Sequence, residues 1–159
     1  MSKLKFESTV KIVPHSQQVV YNKLSDLKNI ELLKETMKDK KIPDKLPDGI
    51  DVEKLDQVKT YLEKMTFTSD DMQVDTPIGA MTLKIIERTE PKCVKCELIG
   101  APIAVTIWIQ LVSNSENDSK MRVTVQSEVN MFMKSMVKKP LEQAAEQIAQ
   151  VLSVLPYGL

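Results

Sequence analysis

The sequence predicts an α+β fold, a curved seven-stranded antiparallel sheet wrapped around one long C-terminal helix. Three observations predict it. An apolar stripe at helical spacing runs from about residue 131 to residue 155. Six segments of period-two alternation precede it, between residues 63 and 129. The turn signals between those segments are too short for the crossovers that parallel strands need. A long helix after such a sheet requires a broad apolar surface to lie on, and a sheet curved enough to hold it encloses space.

The chain of 159 residues fits one domain, spanning 1–159, and can bury a core without disulfides or metals to staple it. Its 22 basic and 22 acidic residues cancel, so the overall charge draws it neither to nucleic acid nor to an acidic membrane surface. The opening residues Lys3, Lys5 and Glu7 place charge where a leader would be apolar, and no segment reaches the length of a membrane span. A soluble, cytoplasmic protein without stable membrane insertion is expected.

The first strand is read over residues 4–13, with Leu4, Phe6, Ser8, Val10 and Ile12 on one side and Lys5, Glu7, Thr9 and Lys11 on the other. Pro14 ends it. Ser16 is placed to cap a short helix carrying Val19, Val20, Leu24 and Leu27, and Asp26 to cap a second with Ile30, Leu32 and Leu33. Residues 37–49 are rich in Lys, Asp and Pro, the composition of a solvated loop. Asp51 then caps an extra helix at about 51–63, whose Val52, Leu55, Val58 and Leu62 form a stripe suited to lie across the mouth of the sheet.

Six further strands fall at about 63–68, 71–76, 80–88, 92–98, 103–112 and 120–129. In the best patterned of them Val105, Ile107, Ile109 and Leu111 alternate with Thr106, Trp108 and Gln110. Its neighbour sets Met121, Val123, Val125 and Val129 against Arg122, Thr124, Gln126 and Glu128. The last helix carries Phe132, Met133, Met136, Val137, Leu141, Ala144, Ala145, Ile148, Leu152 and Leu155 on its apolar stripe. Pro140 removes one backbone hydrogen bond within that stripe and is expected to bend or divide the helix near Val137.

Acid or base catalysis inside such an enclosure needs an ionisable group on the inward face. Taking the apolar side of each strand as inward leaves Ser127 as the visible polar exception. Glu87 shares the parity of Leu83 and Ile85, but it is expected at the strand end in solvent, since unpaired Glu is rarely buried. His15, the single histidine, stands at a strand-to-helix junction and is read as a surface or capping residue. One histidine with no nucleophile beside it supports no triad, and four glycines form no phosphate-cradling loop. Cys93 and Cys96 have the spacing of half a zinc site. Residues three apart on a strand point to opposite faces, however, and no second pair completes a tetrahedron, so neither a metal nor a cofactor is expected.

Met131, Met133 and Met136 cluster where the last helix begins, which suits either irregular core filling or a pocket for an irregular apolar ligand. Trp108 is read on the wetter face, as a lone surface aromatic or the centre of a homodimer patch. With that strand reversed it would line the cavity.

The order of elements resembles that of the START-like superfamily, also called SRPBCC or the polyketide cyclase and dehydrase group, whose architecture is the helix-grip fold. The resemblance spans essentially the whole chain. It is carried by Phe6-Glu7-Ser8-Thr9-Val10, by Leu24-Ser25-Asp26-Leu27, by Thr106-Ile107-Trp108-Ile109-Gln110-Leu111, and by Asn130-Met131-Phe132-Met133 leading into Lys139-Pro140-Leu141. What it implies is a hydrophobic cavity between sheet and last helix. Joined to the inward set, this gives a candidate ligand-binding lining of Met72, Val74, Leu83, Ile85, Val94, Leu98, Val105, Ile107, Ile109, Val123, Val125, Ser127, Met133, Met136 and Val137. The expected partner is a small hydrophobic molecule such as a lipid, a quinone or a polyketide-like compound, held without catalysis. A cyclase or dehydrase-type enzyme and a co-chaperone-like module with a filled core are the rival readings, because this fold serves many functions.

Overall fold

Alternation makes the strands of this chain, and connections of two to five residues from β3 to β8 force each to turn back beside its predecessor. The computed structural model describes residues 2–32, 63–76, 79–100, 103–153, 155 and 157, with the backbone alone at 2, 74–76, 79 and 80. The strands are β1 (Ser2–Glu7), β2 (Lys11–Val13), β3 (Met65–Phe67), β4 (Asp71–Thr76), β5 (Gly79–Thr89), β6 (Cys93–Ile99), β7 (Ala104–Ser113) and β8 (Ser119–Val129). The helices are α1 (Gln17–Leu24), a turn α2 over residues 28–32, and α3 (Met131–Ser153). The expected loop at 37–49, Leu33, and the expected helix at about 51–63 but for residue 63 lie outside the described residues. One antiparallel sheet runs in the order β1-β8-β7-β6-β5-β4-β3, with β2 also paired to β8.

The first strand is not continuous as its alternation predicts. Glu7 faces Thr124 and Lys11 faces Met121, so residues 8–10 stand opposite only two residues of β8. This is a β-bulge, and one extra residue reverses the faces of everything after it. Val10 and Ile12, expected beside Leu4 and Phe6, are therefore exposed, while Val13 is fully buried. Lys11 turns to the helix side with it. Ser8 closes the break: its N–H donates to Val123 O at 2.8 Å, and its Oγ accepts from Val123 N–H at 2.9 Å.

A second bulge interrupts β5. Ile85 pairs with Cys96 but Glu87 with Lys95, leaving Ile86 as the extra residue. Glu87 consequently faces outward, 3.9 Å from Lys95 Nζ, and Arg88 joins buried Val94 on the helix side. There its Nε donates to Ser25 O at 2.6 Å, at the end of α1, and its Nη2 reaches Asp70 Oδ1 at 2.6 Å in the β3–β4 turn.

The short helices are capped as their sequences indicate. Ser16 Oγ accepts from Val19 N–H and Asp26 Oδ1 from Lys28 N–H. Val20, Tyr21, Leu24, Leu27 and Ile30 are buried, whereas Val19 and Leu32 are exposed. Helix α3 runs unbroken through Pro140, so the expected division does not occur.

Only its later half is gripped. Ala145, Ala149 and Ser153, four residues apart, are its buried positions, and side chains this small bring the helix axis close to the sheet. Beyond α3, Leu155 and Tyr157 are buried again, and the Tyr157 hydroxyl donates to Leu152 O. His15 meets the Tyr157 ring edge to face at 5.9 Å. It is thus a half-buried packing residue, and burial lowers its pKa; the cap is Ser16.

Candidate functional site

The helix side of the sheet is built from cross-strand rows. Phe6, Val125, Ile107, Cys96 and Ile85 pair in register across five strands, and beside them run Val123, Ile109 and Val94. Phe67, Met72, Leu83 and Leu98 form a further row toward β3. Ile85, Val94, Ile107, Ile109, Val123 and Val125 share one buried cluster with Leu83, Val105, Ala145 and Ala149. Such rows follow from β-branched residues at every second position, whose side chains fit against cross-strand neighbours.

The candidate residues separate into groups. Leu83, Ile85, Val94, Val105, Ile107, Ile109, Val123 and Val125 are buried on the helix side, with Met72 and Leu98 half-buried against the same cluster. Ser127 lies among them, but its hydroxyl is committed to Ala104 O at 2.7 Å. Of Val74 only the backbone is described, opposite Met65 and Met81. Met133 and Val137 are half-buried on the first turns of α3. Met136 corrects the expectation: it is 74 % exposed, because its place on the helix points away from the sheet.

Chemistry on this face is sparse. Burial pushes the Cys96 thiol up to about 12, which keeps it protonated, and Cys93 lies on the opposite face of β6. Among the described residues no group of three or more His, Cys, Asp or Glu is arranged to hold a metal ion. Sequence alternation missed two basic residues here, Lys11 and Arg88, each turned inward by a bulge. Both are engaged structurally. Lys11 Nζ lies 2.6 Å from Glu146 Oε1 of α3, and the same carboxylate accepts from Thr9 N–H at 2.9 Å and Thr9 Oγ1 at 2.7 Å. The adjacent apolar pair Ile85-Ile86 is the sequence signal that alternation changes phase at the second bulge.

On the outer face Trp108 pairs in register with Lys95 and Thr124, with Lys95 Nζ 5.5 Å from its ring centre. It therefore does not line the enclosed side. Gln110 Oε1 accepts from Arg122 Nε and Thr124 Oγ1, and Arg122 Nη1 lies 2.9 Å from Glu7. No described helix is long and apolar enough to cross a membrane.

With this geometry in place, the comparisons identify the fold. The chain has the START-like helix-grip fold. It is similar over 96 % of its length to norcoclaurine synthase from Thalictrum flavum in complex with dopamine and hydroxybenzaldehyde, at a TM-score of 0.62 and 11 % identity, covering 85 % of that chain. A START superfamily protein from Mycobacterium smegmatis matches 95 % of this chain and 94 % of its own at 0.55 and 11 % identity. Ara h 8.0201 matches 96 % of each chain at 0.57 and 10 % identity. No family model and no curated protein matches the sequence.

Proposed function

We propose that the protein is a noncatalytic binder of a small hydrophobic molecule, a lipid, a quinone or a polyketide-like compound, held between the helix side of the sheet and the first turns of α3. The observation that carries this reading is the gradient along the helix. Ala145, Ala149 and Ser153 are buried, whereas Met133 and Val137 are only half-buried. An apolar ligand fits at the looser end, where adaptable Met133 can follow its shape. Noncatalytic binding agrees with Lys11, Arg88 and Ser127 of this face, each bonded to another part of the protein.

The test is extraction of purified protein with organic solvent, mass spectrometry of the extract, and titration with a fluorescent fatty-acid probe. An enriched apolar compound and saturable probe binding are expected. An extract matching the buffer blank together with no probe binding would overturn the proposal.

A further inference from the structure

Among the described residues, the surface is most apolar where α3 begins. Met131, Phe132 and Met136 are 80 %, 90 % and 74 % exposed, the highest values for large apolar side chains among the described residues. At about 3.6 residues per turn they share one arc of the helix, turned away from half-buried Met133 and Val137. Lys139 falls within that arc, and Lys134 and Lys138 flank it. All three lysines are exposed, none is ion-paired with a described residue, and no acidic residue occurs from 131 to 141. Asn130 fixes the turn, its Oδ1 accepting from Met133 N–H at 2.9 Å.

We propose that this turn docks on the surface of a bilayer containing anionic lipid. Met131, Phe132 and Met136 enter the boundary between headgroups and acyl chains, and Lys134, Lys138 and Lys139 meet the phosphates while their stems stay on apolar surface. Zero net charge over the whole chain does not oppose this, since charges separated by more than about 8 Å are largely screened and only the local cluster acts. A second copy is the rival occupant. It would set three lysines against three lysines. The three apolar side chains offer roughly a few hundred Å², against about 800 Å² per partner in a stable interface. The inference concerns the outer arc of α3 and does not depend on what the interior holds.

Co-sedimentation with vesicles tests it, using phosphatidylcholine alone and phosphatidylcholine mixed with phosphatidylglycerol. The protein is expected to bind the mixed vesicles preferentially and to weaken as salt is added. Each of Lys134→Gln, Lys138→Gln and Lys139→Gln should weaken binding about fivefold. Phe132→Ser combined with Met136→Ser should weaken it by at least about tenfold. The thermal midpoint of that double variant should match the parent, because neither side chain contributes to the buried core. Equal binding to both vesicle types, no binding to either, or undiminished binding by the variants would overturn the proposal. So would a dimer of the parent that Phe132→Ser dissociates, which would assign the face to a second copy. Running the assay on solvent-stripped protein and on untreated protein separates failure of docking from failure of the ligand reading.

Discussion

Glu146 joins α3 to the β1–β2 bulge through Thr9 and Lys11. Burial by itself would raise its pKa, but the hydrogen bonds from Lys11 and Thr9 outweigh that and hold it at about 2, below the usual 4.5. A depressed carboxyl contributes stability that is fully present above the unfolded-state value and is lost as pH falls through the folded one. The window is therefore pH 4.5 down to about 2. Glu146→Gln should lower stability at pH 7 by about 1 kcal/mol, a modest figure because the side chain is partly exposed. Its stability curve should lack that part of the acid loss, as urea titrations at pH 7 and pH 3 would show. Ser119 is the opposite case. Its Oγ is buried without a hydrogen-bond partner, so Ser119→Ala should leave stability unchanged or raise it by up to about 1 kcal/mol in the same titration.

Among the elements, two one-residue insertions decide which side chains meet the helix. Unbroken alternation places Ile12 inside and Val13 outside; the bulge reverses them. Val13→Ala should cost about 2 kcal/mol and Ile12→Ala less than about 0.5 kcal/mol, measured by chemical denaturation. Equal costs would contradict the register. Most strands were legible because every second residue of β7 from Val105 to Leu111, and of β8 from Met121 to Val125, is apolar, and periodicity reports the buried face directly. The bulges left no more trace than the Ile85-Ile86 pair, because an extra residue is stabilised by tertiary partners distant in sequence. Thr9 N–H finds its acceptor 137 residues away on α3, and Arg88 is held by Ser25 and Asp70. The tight half of α3 gives a further test. Ala149→Leu forces a larger side chain between helix and sheet and should cost about 1–3 kcal/mol.

At the scale of the molecule, the helix is fastened at one end and looser at the other. If the loose end holds the ligand, Val137→Trp fills that space. It should abolish probe binding while keeping the far-ultraviolet circular dichroism of the parent. Saturating ligand should raise the thermal midpoint of the parent and leave that of Val137→Trp unmoved, since only a ligand bound to the native state stabilises it. Of the candidate lining, the buried strand positions were readable from parity. Met136 was not, because an apolar residue near the edge of a helical stripe faces the sheet or the solvent according to how the helix is rotated, and packing sets that rotation.

The sequence by itself determined the α+β class, the antiparallel order of strands, the caps Ser16 and Asp26, and the opposite faces of Cys93 and Cys96. These depend on local geometry, where a period of two or a side-chain oxygen at a helix start has one low-energy outcome. Tertiary structure alone decided the phase of the strands beyond each bulge, the inward turn of Lys11 and Arg88, the packing of His15 on Tyr157, and which half of α3 is gripped. Those outcomes rest on contacts between residues far apart in the chain, and such contacts exist only once sheet and helix have closed on one another.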